Sequence, residues 1–249
     1  MSLVESEHTF GSGGAEPYAR ALRREGRLHL VRDGDDDARQ GGSVVSIDTH
    51  AGSGRTTHAP DAFDVARWSA DADAADVTAL TFDGLLDRPL PVLDIGCGPA
   101  RMVRAALDLG AHALGIDVSS TAVDMAAAAG LPVVLASVFE DVPRAGTWGI
   151  ALLLDGNIGI GGDPAALLTR SAAVISPVGS VVVETAVDST SDERYDARVV
   201  DEQGRASGSF PWAEIGQDAL VGYAAEAGLE IAQTWVADGR TFCRLTHTV

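Results

Sequence analysis

A chain of 249 residues, 46% of them hydrophobic, is long enough to bury one sizeable core and reads as a single α/β domain with additions. A formal net charge of -18, with 36 acidic against 18 basic residues, argues against nucleic acid as a partner, because phosphate contacts call for basic side chains. The two cysteines, Cys97 and Cys243, argue against a disulfide framework, and no signal-peptide pattern or long apolar span stands out, so the expectation is a cytoplasmic protein without a membrane partner.

Residues 1–62 read as a partly disordered N-terminal extension, and residues 63–249 as the main domain. Gly11–Gly14, Asp33–Gly42 and Ala51–Thr57 are rich in glycine, acids and small polar residues, a loop composition. Leu28–Arg32 and Ser43–Ile47 have the pattern of short paired strands; a helix from Tyr18 to Leu30 is the alternative. Asp71–Leu86 predicts a helix with Val77, Leu80 and Leu85 on one face. Asp71, Asp73 and Asp76 in its first turn complement the helix dipole; the competing reading puts them with Trp68 at the mouth of a site.

From Pro91 onward strand and helix alternate, as in a parallel sheet covered on both faces. Strands are predicted at Pro91–Ile95, Ala111–Ile116, Leu131–Ala136, Gly149–Leu154 and Ser180–Thr185, the last entered through a turn at Pro177-Val178-Gly179. Ser119 and Ser120 offer N-caps for a helix over Thr121–Ala129, closed by Gly130. Asp163-Pro164 opens another that runs towards Ile175, and a further helix is predicted from Trp212 to Ala227. Leu229–Val236 and Arg240–His247, joined by Asp238-Gly239, form a strong hairpin signal. Ala186–Pro211 is too long for a plain connection; a small hairpin around Asp201–Gly204 predicts either a flap over a site or an edge decoration.

The chemistry concentrates in PVLDIGCGPARM, Pro91–Met102: a buried strand, an acid, a glycine turn, then a helix start whose unpaired amides point back at the turn. Asp94 stands two residues before the first glycine, where a carboxylate suits a cationic ligand and repels a pyrophosphate. Ala100 and Arg101 replace the closing glycine of the dinucleotide pattern G-x-G-x-x-G. Asp117, 23 residues beyond Asp94, ends the next strand, placed to accept hydrogen bonds from both hydroxyls of a ribose.

With these features the chain, from about Asp64 to its end, resembles the class I S-adenosylmethionine-dependent methyltransferases, and more closely the small members that carry DGNIGIGGDP, here Asp155–Pro164. The resemblance implies a Rossmann-like, doubly wound, seven-stranded α/β sheet with a C-terminal antiparallel hairpin, and S-adenosyl-L-methionine as cofactor. It assigns the methionine part to the segment holding Asp94, Gly96, Cys97, Gly98, Ala100 and Arg101, the ribose to Asp117 with Val118 and Ser119, and the adenine to Ser137, Val138 and Phe139 of Ala136–Glu140. Ser137-Val138 departs from the acid-then-small pattern common at the adenine segment, and Ala100 from the usual glycine.

Methyl transfer is an in-line displacement that asks mainly for positioning and exclusion of water. The segment after the fourth strand supplies the catalytic candidates, Asn157 and Asp155, to orient the acceptor or accept its proton; Asp155 also counts among the cofactor contacts. Its glycines are expected to allow close backbone approach. Asn157 is followed by Ile158-Gly159 instead of the two prolines and an aromatic of nucleic-acid amino-methylating enzymes. The six histidines lack metal-ligand spacing, so no metal is expected; His29 and His112 read as structural or surface residues. The expected partner is a small-molecule acceptor methylated on O, N or C, and the expected assembly a monomer or homodimer. Two alternatives remain open: an NAD(P)-dependent oxidoreductase and a non-catalytic S-adenosylmethionine-binding protein.

Overall fold

The structure, a computed structural model, describes residues 17–24, 28–33, 62–63, 68, 70–81 and 89–248. Its main sheet has seven strands. Chain order places β3 (Val92–Ile95), β4 (Ala113–Asp117), β5 (Val133–Leu135), β6 (Trp148–Leu153) and β7 (Ile175–Thr185) in it, followed by β10 (Leu229–Ala237) and β11 (Arg240–His247). The spatial order is β10-β11-β7-β6-β3-β4-β5. β3 pairs in parallel with both β4 and β6, while β11 runs antiparallel to β7 and to β10. This is the expected doubly wound sheet ending in an antiparallel hairpin. Asp238 and Gly239 both have positive φ, 50° and 74°, the requirement of a tight hairpin turn.

The strands are apolar on both faces because both are covered. Leu93, Ala151, Leu153, Val181 and Val183 pack with Leu167 and Leu168 of α5 (Pro164–Val174) and Leu220 of α6 (Gln217–Glu226). The alternate residues Val92, Ile150, Leu152 and Val182 pack with Ala79 of α2 (Ala74–Thr81) and Met102 of α3 (Arg101–Asp108). The caps match their sequence signals. Ser119 accepts from the Ala122 amide to start α4 (Ser120–Ala128), and Asp163 accepts from the Ala166 amide ahead of Pro164. α2 starts at Ala74, three residues after the predicted Asp71, and the predicted end at Leu86 lies, with Leu85, outside the described residues. Asp73 and Asp76 cap its start reciprocally, each side chain accepting from the other's amide.

Two predictions fail. The helix expected from Trp212 begins only at Gln217, because Phe210–Ile215 is strand β9, and burial of Phe210, Trp212, Ala213 and Ile215 wins over the local helical pattern. The turn expected at Pro177-Val178-Gly179 lies within β7, which starts at Ile175 and passes the region with a register irregularity against β6. Gly179 is needed there, since a Cβ on it would stand 2.7 Å from the Trp148 carbonyl oxygen.

The predicted small hairpin belongs to a second sheet. β8 (Asp192–Asp201) pairs antiparallel with β9, Ala197 opposite Phe210, and on its other side with β1 (Leu28–Arg32). With β2 (Ala62–Phe63) the order is β2-β1-β8-β9, four strands. Leu28–Arg32 is therefore a strand, which rules out a helix reaching Leu30, and the described helix before it is α1 (Pro17–Arg24); Ser43–Ile47 lies outside the described residues. Tyr18, Leu22, Leu28, Leu30, Val199, Phe210 and Trp212 form the core of this cap, and Arg23 of α1 donates to Thr121 of α4 at 2.7 Å.

Candidate active site

In the main sheet the chain reverses its direction of travel beside β3, the switch point where open α/β sheets bind ligands beyond the strand ends. There β3 leaves through Gly96, Gly98 and Ala100, all with positive φ. Ala100 is a non-glycine residue in the left-handed region and fully buried, so the usual glycine is replaced with some backbone strain. A Cβ on Gly96 would stand 2.9 Å from Asn157 Nδ2 and 3.0 Å from Ile160 Cδ1. Protein atoms, before any ligand, thus require glycine at Gly96. The turn is braced by Asp117: the Gly98 amide donates to its Oδ2 at 2.8 Å and the Ser119 amide to its Oδ1 at 2.7 Å. Burial raises the pKa of Asp117, opposed by the amides of Ser119, Gly98 and Val118. Each oxygen keeps a second lone pair for a ligand donor.

Beyond this turn lies a cleft with about 970 Å³ of empty space, counted together with the part open to solvent. Gly96, Cys97, Gly98, Arg101, Asp117 and Val118 form one wall, and Ser137, Val138 and Phe139 another. Asp155 and Asn157 close a third side. Three of the predicted residues do not line it. Ser119 is a buried N-cap, Ala100 is buried in the turn, and Asp94 sits behind the wall, 4% exposed. Burial lifts the Asp94 carboxyl to about 7; Arg101 pulls the other way, and Asp155, Asp117 and Asp76 add to the rise. Cys97 Sγ contacts the Gly98 carbonyl at 3.6 Å, and burial pushes its thiol well above the ordinary range, so it is an inert part of the wall.

Arg101 and Asp155 belong to a larger charge network. Arg101 forks onto Asp76, with both contacts at 3.0 Å, and onto Asp155 at 2.6 and 3.1 Å. Arg240, at the start of β11, donates to Asp76 at 2.6 Å and to both oxygens of Glu184 at 2.8 and 2.6 Å. The Asp155 amide donates to Glu184 at 2.8 Å. Burial works against charge on Asp76, but hydrogen bonds and fields from Arg101 and Arg240 hold it well below the usual carboxylate range. Burial opposes both guanidiniums too, and their carboxylate partners keep them firmly charged. Asp76 is therefore a network member at the helix start and does not line the mouth, whereas Trp68 does line the cleft. Three carboxylates against two guanidiniums leave the network net negative.

Asn157 opens a 3-10 segment, Asn157–Gly162. Its amide nitrogen donates to the Ile95 and Gly96 carbonyls at 2.9 and 3.1 Å, pinning the segment to the turn. The glycines here serve the cap. A Cβ on Gly159 would lie 2.2 Å from the Ala213 carbonyl and 2.7 Å from the Trp212 ring, and one on Gly162 would lie 2.8 Å from Pro211. A Cβ on Gly161, at φ 79°, would stand 2.9 Å from the Phe139 ring. β9 can lie on this segment only because Gly159 and Gly162 carry no side chain.

The cap brings to the cleft residues that sequence reasoning missed: Tyr18 from α1, and Pro211 and Trp212 from β9, beside Ile160. Tyr18 meets Trp68 edge to face at 5.9 Å. Burial first, then Asp117, Cys97 and Asp155, raise its phenol well above the ordinary value, so it keeps its proton. The available signal was the aromatic alternation of Phe210-Pro211-Trp212 after a strand-like stretch. Metal-binding groups of three or more His, Cys, Asp or Glu are absent among the described residues, and no described helix is long and apolar enough to cross a membrane.

No protein-family profile matches the sequence, and no curated protein matches it. Solved structures do. An S-adenosylmethionine-dependent methyltransferase from Bacteroides fragilis, in complex with S-adenosyl-L-homocysteine, aligns over 93% of both chains with a TM-score of 0.66 and 18% identity. The sugar N-methyltransferase KedS8 from a Streptoalloteichus species aligns over 80% of this chain and 100% of its own, with a TM-score of 0.53 and 17% identity. The CcbJ methyltransferase from Streptomyces caelestis aligns over 70% and 87%, with a TM-score of 0.53 and 14% identity. The fold is that of the class I S-adenosylmethionine-dependent methyltransferases.

Proposed function

We propose that this protein binds S-adenosyl-L-methionine and transfers its methyl group to a small-molecule acceptor. One observation carries the reading: the Gly96–Gly98 turn and the Asp117 carboxylate, at the tips of neighbouring strands, are hydrogen-bonded to each other on the wall of a single cleft. The protein atoms present fit the cofactor. Asp117 keeps lone pairs for ribose hydroxyls, Val118, Val138 and Phe139 offer apolar surface for a purine, and the turn leaves room for the amino-acid part. Arg101 is already shared by two carboxylates, and Asp117 and Asp155 leave the surroundings negative. That field suits a sulfonium and opposes the pyrophosphate of a nicotinamide dinucleotide.

When bound, S-adenosylmethionine supplies an electrophilic methyl: the acceptor's lone pair forms the new bond as the carbon–sulfur bond breaks onto sulfur, and the acceptor's proton passes to water. The chain's contribution is positioning. Asn157 holds the turn through its amide nitrogen and keeps Oδ1 to accept from the acceptor's O–H or N–H. Asp155, gripped by Arg101, fixes the wall and is poorly placed to take a proton.

Calorimetry tests this. S-adenosylhomocysteine should bind the wild-type protein, and Asp117→Ala should weaken it by about 1.5–3 kcal/mol, the value of a hydrogen bond to a charged group. Tight NAD binding without S-adenosylhomocysteine binding would overturn the assignment. Turnover of labelled methyl donor in the presence of a cell extract, lost in Asp117→Ala, separates an enzyme from a binding protein without catalysis.

A further inference from the structure

The side of the cleft built largely by the cap differs in chemistry from the rest. It is built by Trp68, Ile160, Pro211 and Trp212, with Tyr18 beside Trp68. Trp212 is held rigidly: its indole lies against Gly159, its ring meets Phe210 edge to face at 6.0 Å, and its residue is 6% exposed. Ile160 reaches back to the turn, its Cδ1 being 3.0 Å from where a Gly96 Cβ would stand. Arg101 is the only cation among the described residues that line the cleft, and it is committed to Asp76 and Asp155. Among the described residues, an anionic acceptor would meet Asp117 and Asp155 with no spare positive charge, and a polyhydroxylated one would meet an apolar wall with few donors or acceptors.

Resting on the methyltransferase reading above, we infer that the acceptor is a flat, uncharged aromatic or heteroaromatic compound. It packs against Trp68, Trp212 and Ile160, and presents an O–H or N–H to Asn157 Oδ1. Flat rings suit this wall because rigid aromatic partners hold their faces with little loss of side-chain freedom. Asn157 lines the cleft and selects for a hydrogen on the nucleophile, since its amide nitrogen is spent on the Ile95 and Gly96 carbonyls and its oxygen is left to accept. The same contact aligns the nucleophile's lone pair and leaves the proton free to depart to water.

The test uses the full chain saturated with S-adenosylhomocysteine and three bicyclic probes of similar size: 2-naphthol, its anionic counterpart 2-naphthoate, and the saturated trans-decalin-2-ol. Calorimetry should find 2-naphthol bound at least about tenfold more tightly than either of the others. Trp212→Leu and Trp68→Leu should each weaken 2-naphthol by about fivefold while leaving S-adenosylhomocysteine affinity within about twofold, and Trp212→Phe should restore most of the loss. Trp68→Leu lies outside the buried cap core, so it reports even where Trp212→Leu fails to fold. Equal binding of decalin-2-ol or naphthoate, or of 2-naphthol to wild type and both tryptophan variants, overturns the acceptor class and leaves the cofactor reading standing. Failure of S-adenosylhomocysteine to bind the wild type overturns both.

Discussion

Asp94 should make the folded protein less stable as the pH rises, and an asparagine there should abolish that effect. The carboxyl is 4% exposed, and burial, reinforced by Asp155, Asp117 and Asp76 and opposed by Arg101, lifts it from the usual 3.8 to about 7. Between those values the folded chain holds a proton that the unfolded chain has lost, so each rise in pH favours unfolding; above 7 the effect is complete. A tenfold change in proton affinity is worth 1.36 kcal/mol, and the full displacement is therefore worth at most about 4 kcal/mol. Asp94→Asn keeps the shape without the titration. Urea melts of the two proteins should show the variant's stability relative to wild type improving by about 3 kcal/mol between pH 5 and pH 8 and staying level above that. Above pH 7, where Asp94 is ionised, the same variant should bind S-adenosylmethionine more weakly, and S-adenosylhomocysteine almost as before, because only the sulfonium draws on that charge. A stability difference that does not move with pH would refute the buried-carboxyl argument, and equal losses for the two ligands would refute the role in charge recognition.

Three further outcomes follow from the geometry. Gly159→Ala forces a Cβ against the Ala213 carbonyl and Trp212 and should cost about 1–3 kcal/mol in denaturant melts, whereas Gly222→Ala in α6, with nothing within 4 Å, should gain about 0.5–1 kcal/mol. Arg240→Met strips Asp76 and Glu184 of a shared partner and should cost about 3–5 kcal/mol. That loss should shrink as the pH falls below 3.8, where Asp76 is protonated in the unfolded chain and its ion pairs stabilise the fold progressively less. Asn157→Asp sets a carboxylate against the Ile95 and Gly96 carbonyls and should weaken S-adenosylhomocysteine more than Asn157→Ala does; the reverse order, measured by calorimetry, would mean that the pin on the turn is unimportant.

Features set by short stretches of chain were legible in the sequence. The turn after β3, the acid ending β4, the caps of α4 and α5 and the Asp238-Gly239 hairpin each depend on a few neighbouring residues whose backbone demands are local. Features created by distant segments were hidden. Phe210–Ile215 resembles the start of a helix until β8 lies beside it. Leu28–Arg32 gives no hint that its partner is Asp192–Asp201. The glycines of the Asp155–Pro164 segment, expected to admit close backbone approach, admit it to β9. Arg101, Asp155 and Asp76 stood out separately, but nothing in their spacing showed that they neutralise one another, nor that Arg240 joins them. Tyr18 and Trp212 reach the cleft only because two separate stretches of chain build the cap.

The ion pairs of Arg240 tie the antiparallel hairpin to the floor of the cleft. That side chain, carried on β11, anchors Glu184, whose carboxylate holds the backbone of Asp155. Loosening β11 from β7 therefore unfastens a cleft residue that neither strand carries.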